Sequence, residues 1–191
     1  MTTIYFVRHC KPDSGWYDDR TRPLTQEGIE DSFEVARILK EKGIDLFISS
    51  PYKRSFDSIK PAAELYKKEI QTDERLRERK AGPNGNNHEM FQKRWDDFSY
   101  AEPEGESIGA VQKRNIEALE EILKNHEGKT IAIGTHGTAL SSIINYYEPS
   151  FNADSFMEII DFMPCILRMD FDGTKYLGRQ EVFHIYKEYK E

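Results

Sequence analysis

Residues 4–7, Ile-Tyr-Phe-Val, run apolar without a break into Arg8-His9. A continuous apolar strand, in contrast to an alternating one, is a strand covered on both faces, so the start of this chain asks for packing layers on two sides of a sheet. The sequence supplies them. "PLTQEGIEDSFEVARILKEKG" opens with Thr25 as an N-cap, brings Ile29, Phe33, Ala36 and Leu39 round at helical spacing, and can stop at Gly43. Residues 45–50 read as a second short buried strand. Residues 52–67 read as a helix that Pro61 should kink or split.

Residues 69–76 can hold a third strand, and the Gly/Asn/Pro-rich stretch from 81 to 88 must be loop. Helix returns from Ser107 to about Asn125, with Val111, Ala118 and Ile122 on one side. "KTIAIG" is the clearest strand, and residues 138–147 follow as a helix. In "CILRMDFDGTKYLG", Asp172-Gly173 between two strand-like runs signals a hairpin. This order predicts the α/β class: a three-layer sandwich with a mostly parallel sheet, an antiparallel edge and helices on both faces. Residues 1–191 are expected to form a single domain.

Composition narrows the function. The net charge of -7 argues against a general nucleic-acid or membrane-surface binder, so an anionic ligand would have to be drawn by a local basic pocket. Cys10 and Cys165 make no disulfide framework, which suits a reducing compartment. No apolar stretch approaches the ~18 residues a membrane span needs, and the N-terminus lacks a signal-peptide core. A cytoplasmic location is the expectation, with oligomeric state left open.

In open α/β sheets, ligands gather beyond the carboxyl ends of the strands. Arg8-His9 ends the first strand, Ser49-Ser50-Pro51-Tyr52-Lys53-Arg54 follows the second, and Thr135-His136-Gly137 follows the late one. Taken singly, such residues are usually structural or surface groups. Together on one rim of an acidic protein, two arginines and two histidines suit a phosphate dianion held by charge-assisted contacts.

"VRHCKP" resembles the "RHG" signature of the histidine phosphatase superfamily, the phosphoglycerate-mutase-like family. "RTRPLTQEG", "SSPYKRSFDSIKPAAE", "LRERKAG", "PEGESIGAVQKR" and "GTHG" are similar to its further segments, in family order over roughly residues 4–140. The resemblance implies a metal-independent, cofactor-free phosphatase acting on a phosphorylated small molecule or phosphoprotein. In it His9 is the nucleophile, and Arg8, Arg54 and His136 hold the non-bridging oxygens. Glu78 is the general acid and base, with Glu74 as its competitor.

Arg22 is a further candidate at the phosphate, and Arg22, Trp16, Tyr17 and Arg20 are expected at the pocket entrance with residues 82–103. Ser107 is expected first as a helix cap and second as a pocket residue. His88 reads as a surface loop residue. Cys10 stands where the family has a small residue, and packing is its expected role ahead of redox chemistry. The missing central insertion and paired arginines favour a phosphatase over a phosphoglycerate mutase. A catalytically silent phosphate-binding protein is a further alternative, and a zinc site through His9 and His136 lacks a third ligand at metal-binding spacing.

Overall fold

A computed structural model describes residues 1–83 and 88–188. In chain order the elements are β1 (Thr2–Arg8), α1 (Gln26–Leu39), β2 (Leu46–Ser49), α2 (Lys53–Leu65) and β3 (Ile70–Thr72). A 3-10 turn (Glu74–Leu76) leads to α3 (His88–Asp96), α4 (Ile108–Asn125), β4 (Thr130–Thr135), α5 (Gly137–Tyr147) and α6 (Ala153–Ile159). The chain closes with β5 (Phe162–Asp172) and β6 (Lys175–Tyr186).

The strands form a six-stranded sheet in the order β3-β2-β4-β1-β5-β6. Pairings among β3, β2, β4 and β1 are parallel, whereas β5 joins β1 and β6 antiparallel. The expected mostly parallel sheet with an antiparallel edge is therefore the one observed. The β5–β6 turn carries Gly173 at φ 57°, a left-handed position that Gly takes without a Cβ clash.

The apolar run of β1 is explained by its place between two cores. Ile4 and Phe6 point into one, with Leu119 and Leu123 of α4 and Ile143 of α5. Tyr5 and Val7 point into the other, with Val35 and Leu39 of α1 and Ile59 and Ala62 of α2. Each fully buried aliphatic side chain contributes about 1.5–3 kcal/mol, so a strand feeding both cores is anchored twice.

Several expectations need correction. In α1, Thr25 does cap, accepting from the Gly28 N–H, but Ile29 and Phe33 are 43% and 60% exposed. The inward face is instead Gly28, Ser32, Val35, Ala36 and Leu39. A Cβ on Gly28 would lie 2.3 Å from the Lys11 carbonyl oxygen, so the helix turns its small residues towards the loop that leaves β1. Pro61 lies inside one continuous helix instead of splitting it; the change removes a single backbone donor. The third strand covers only Ile70–Thr72, because Asp73 caps the 3-10 turn by accepting from the Arg75 N–H. Of the loop expected over 81–88, residues 84–87 lie outside the described residues, and His88 opens α3. Among the described residues no helix is long and apolar enough to cross a membrane.

Candidate active site

The parallel strands deliver the site. Arg8 pairs in register with Thr135, and Ser49 with Gly134, so the carboxyl ends of β1, β2 and β4 lie side by side. His9, Ser50 and His136 are each the first residue past their strands. Arg54 stands in the first turn of α2, and Glu78 lies just beyond the 3-10 turn that follows β3. The rings of His9 and His136 meet edge-on, with centroids 5.5 Å apart.

His9 is buried, its backbone N–H donating to the Thr135 carbonyl at 3.1 Å. Its ring Nδ1 lies 2.8 Å from the carbonyl oxygen of Cys10. A carbonyl only accepts, so the neutral ring carries its hydrogen on Nδ1 and keeps the Nε2 lone pair available. Burial pushes the imidazole well below its ordinary pKa, and the Arg54 and Arg8 cations push the same way against the bond to Cys10. Both effects favour the neutral ring, the form in which an imidazole nitrogen is nucleophilic.

His136 is fully buried and likewise pushed well down, first by burial and then by Arg54 and His9. Its Nε2 lies 2.8 Å from Ser50 Oγ, which already accepts the Tyr52 N–H. The hydroxyl hydrogen is then best directed to Nε2, leaving the hydrogen of His136 on Nδ1, a buried atom with no hydrogen-bond partner among the described residues. The two histidines thus present opposite functions: a lone pair on His9 and an uncommitted donor on His136.

Cys10, the next residue after His9, is buried in the core shared with α1 and α2. Its N–H donates to Ser58 Oγ, which in turn donates to the Arg54 carbonyl, tying the β1 tip to α2. Burial pushes its thiol up to about 12, so it stays protonated and unreactive. This agrees with the packing role expected of it.

The cations are held by main chain. Arg8 Nη1 donates to the Ile159 carbonyl at 2.8 Å, at the end of α6. Gly137 leaves room for that side chain, since a Cβ there would sit 3.3 Å from Arg8 Nε. Arg54 Nη1 donates to the Asp19 carbonyl at 2.7 Å, and its guanidinium lies over the Tyr52 ring, 5.2 Å from the centroid. Arg22 reaches the same place through the Asp19 carboxylate, 3.2 Å away.

Glu78 is brought to the first turn of α5. Its Oε2 accepts the Thr138 N–H at 2.9 Å, and its Oε1 accepts those of Ala139 and Arg79 at 3.0 and 2.8 Å. A carboxylate there complements the positive end of the helix that His136 caps. Glu74 points elsewhere: it is exposed and forms a bidentate pair with Arg20, both contacts at 2.8 Å. Ser107 caps α4, its hydroxyl accepting from the Ala110 N–H. Trp16 and Tyr17 stack on each other in the exposed loop after His9.

Four further residues at the site were given no role from the sequence: Ser50, Asp19, Glu106 and Arg114. Arg114 donates to the carbonyls of Arg75, Arg77 and Glu78 and to both oxygens of Glu106. Glu106 also accepts from Arg77 and from the Lys80 N–H. Burial acts to raise the Glu106 carboxyl, but Arg114 and Arg77 outweigh it and hold the group down at about 2. The pair fastens the Glu78 segment to α4. In the sequence both lie in "PEGESIGAVQKR", one of the segments that carry the family resemblance.

A sheet that gathers two neutral histidines, two buried arginines and a carboxylate at its parallel strand ends is the arrangement of a phosphoryl-transfer protein. The chain belongs to the histidine phosphatase superfamily (branch 1), whose family model matches residues 4–176. It is 30% identical over 160 residues to a 2,3-bisphosphoglycerate-dependent phosphoglycerate mutase of Thermoplasma acidophilum, covering 77% of this chain and 76% of that one. It is 27% identical over 158 residues to a putative phosphoserine phosphatase 2 of Hydrogenobacter thermophilus, covering 75% and 77%. Among solved structures, YhfR of Bacillus stearothermophilus shares the fold at TM-score 0.77 and 24% identity, over 93% of this chain and 95% of that one. Phosphoserine phosphatase of Entamoeba histolytica, solved with 3-phosphoglyceric acid, shares it at TM-score 0.77 and 23% identity, over 96% of each.

Proposed function

We propose that the protein is a metal-independent phosphomonoesterase that works through a phosphohistidine on His9. The observation that carries this reading is the bond from His9 Nδ1 to the Cys10 carbonyl, which leaves Nε2 as an unprotonated nucleophile beside His136 and the arginines. In the first step the Nε2 lone pair attacks phosphorus and the P–O ester bond breaks. The leaving oxygen takes the proton of Glu78 and departs as an alcohol. In the second step Glu78 removes a proton from water, the oxygen attacks phosphorus, and the P–N bond breaks to release inorganic phosphate.

Arg8, Arg54, Arg22 and the His136 Nδ1–H stabilise the charge that spreads over the equatorial oxygens. These cations stand where a metal would otherwise be needed. Ser107 is left with the structural role of a cap. Phosphorylated small molecules are the substrate class, within a single cytoplasmic domain.

Brief exposure to labelled phosphomonoester followed by denaturation should trap an acid-labile phosphoprotein with the label on His9, and turnover should be unchanged in excess EDTA. Label on another residue, or activity lost to EDTA and restored by zinc or magnesium, would refute the mechanism. The mutase-named relative favours a second reading, transfer to a second hydroxyl of the substrate. Rapid passage of the label to water, with none on a sugar or glycerate acceptor, decides for the phosphatase.

A further inference from the structure

Asp19 is an acidic side chain set against a site built for anions. Its Oδ1 lies 3.1 Å from Arg54 Nη1 and 3.2 Å from Arg22 Nη1. The Arg54 side chain is 4% exposed and that of Asp19 is 44% exposed, so one carboxylate oxygen faces the buried cations while much of the group faces solvent. Orientation of Arg54 does not require this charge, because the Asp19 backbone carbonyl already takes a 2.7 Å bond from the same nitrogen.

The charge balance gives it a use. Arg8, Arg22 and Arg54 bring three positive charges and the two histidines are neutral, while the first step of the proposed mechanism requires a proton on Glu78 that cancels its charge. Asp19 offsets one of the three, and the remainder matches one phosphate dianion, with nothing left for a second anionic group on the substrate. Neighbouring arginines have carboxylates of their own: Arg20 pairs with Glu74, and Arg77 and Arg114 share Glu106. Asp18 keeps its negative charge but turns it onto its own loop, Oδ2 accepting the Thr21 hydroxyl at 2.6 Å.

We propose that Asp19 is a specificity-determining residue that favours phosphate monoesters bearing an ammonium group on the alcohol part and disfavours those bearing a carboxylate. The proposal rests on the phosphomonoesterase reading above, and its test separates the two. Calorimetry on His9→Ala protein reads binding without turnover. The ligands are three small esters of similar size: 2-aminoethyl phosphate, ethyl phosphate and phosphoglycolate. With Asp19 present, 2-aminoethyl phosphate should bind about tenfold more tightly than phosphoglycolate, the scale of a partly exposed charge acting with opposite sign on the two.

Asp19→Asn, which keeps the backbone bond to Arg54, should remove most of that preference, mainly through tighter phosphoglycolate binding. The same ratio in both proteins, or an equal change for all three esters, would reduce Asp19 to a support for Arg54 and overturn the proposal. So would a preference for phosphoglycolate before any change at Asp19, whatever the variant's folding. The expected ratios, together with no turnover of any ester by the unsubstituted protein, would uphold the charge selection and refute the phosphatase.

Discussion

The floor of the site and its mouth use the same residue types to different ends. On the floor, Arg8, His9, Arg54 and His136 are all buried and bonded to carbonyls or a hydroxyl. At the mouth, Arg20, Glu74 and Asp18 are paired side chain to side chain, and Trp16 and Tyr17 stack in solvent. Charges withdrawn from water act strongly and need no reorganisation when the reaction proceeds. Exposed pairs are worth about 0–1 kcal/mol and are readily exchanged. On the proposed reading, the floor fixes the reaction and the mouth selects the alcohol that leaves.

The comparison breaks first at the nucleophile. His9→Ala should leave less than about a thousandth of the turnover with the fold intact, because the neighbouring Cys10 thiol stays protonated. Steady-state rates with circular dichroism check both halves of that statement.

Next comes the acid. Glu78→Gln should slow alkyl phosphates by about a hundredfold or more and p-nitrophenyl phosphate far less. It should also cost about 1 kcal/mol of stability, since an amide nitrogen would then face backbone N–H donors of α5. Glu74→Gln is the control. A leaving-group-dependent loss there and not at Glu78 would assign the acid to the mouth.

Glu106→Gln tests whether the Glu78 segment is held from behind. Loosening Arg114 should lower kcat about tenfold for alkyl phosphates, with KM little changed and a smaller loss for p-nitrophenyl phosphate. A uniform loss across leaving groups would make the pair structural only.

The smallest effect is on stability against pH. Both site histidines have folded pKa values held below the unfolded one, so the unfolded chain takes up protons first as pH falls. Stability contributed at neutral pH should decline below about pH 6.5, at up to about 1.4 kcal/mol per pH unit for each histidine. Denaturant titrations of the native protein and His136→Gln, compared at pH 7 and 5, should show the variant losing less.

Much of the floor could be read in the sequence because its residues end strands. Apolar runs locate the strands, and the parallel order then brings their tips together. Glu78 needed the resemblance, since "DERLRERK" offers several carboxylates and only the fold turns one of them onto α5. The outward turn of Ile29 and Phe33 was hidden because helical spacing shows a stripe without showing which side is covered. Short α3 and α6 lack a long apolar period. Asp19, Ser50 and Arg114 act through partners distant in sequence, and a single chain carries no record of such pairings.

The position of β1 has a consequence for how the chain is made. Its neighbours in the sheet, β4 and β5, begin only at Thr130 and Phe162. At about 5–20 residues per second, translation of the intervening ~120 residues takes roughly 6–24 s. Throughout that interval an apolar segment with two open edges has no native partner strand. Covering of that segment before then falls to helix packing, and His9 and His136 cannot meet until β4 and the residue that follows it have been made.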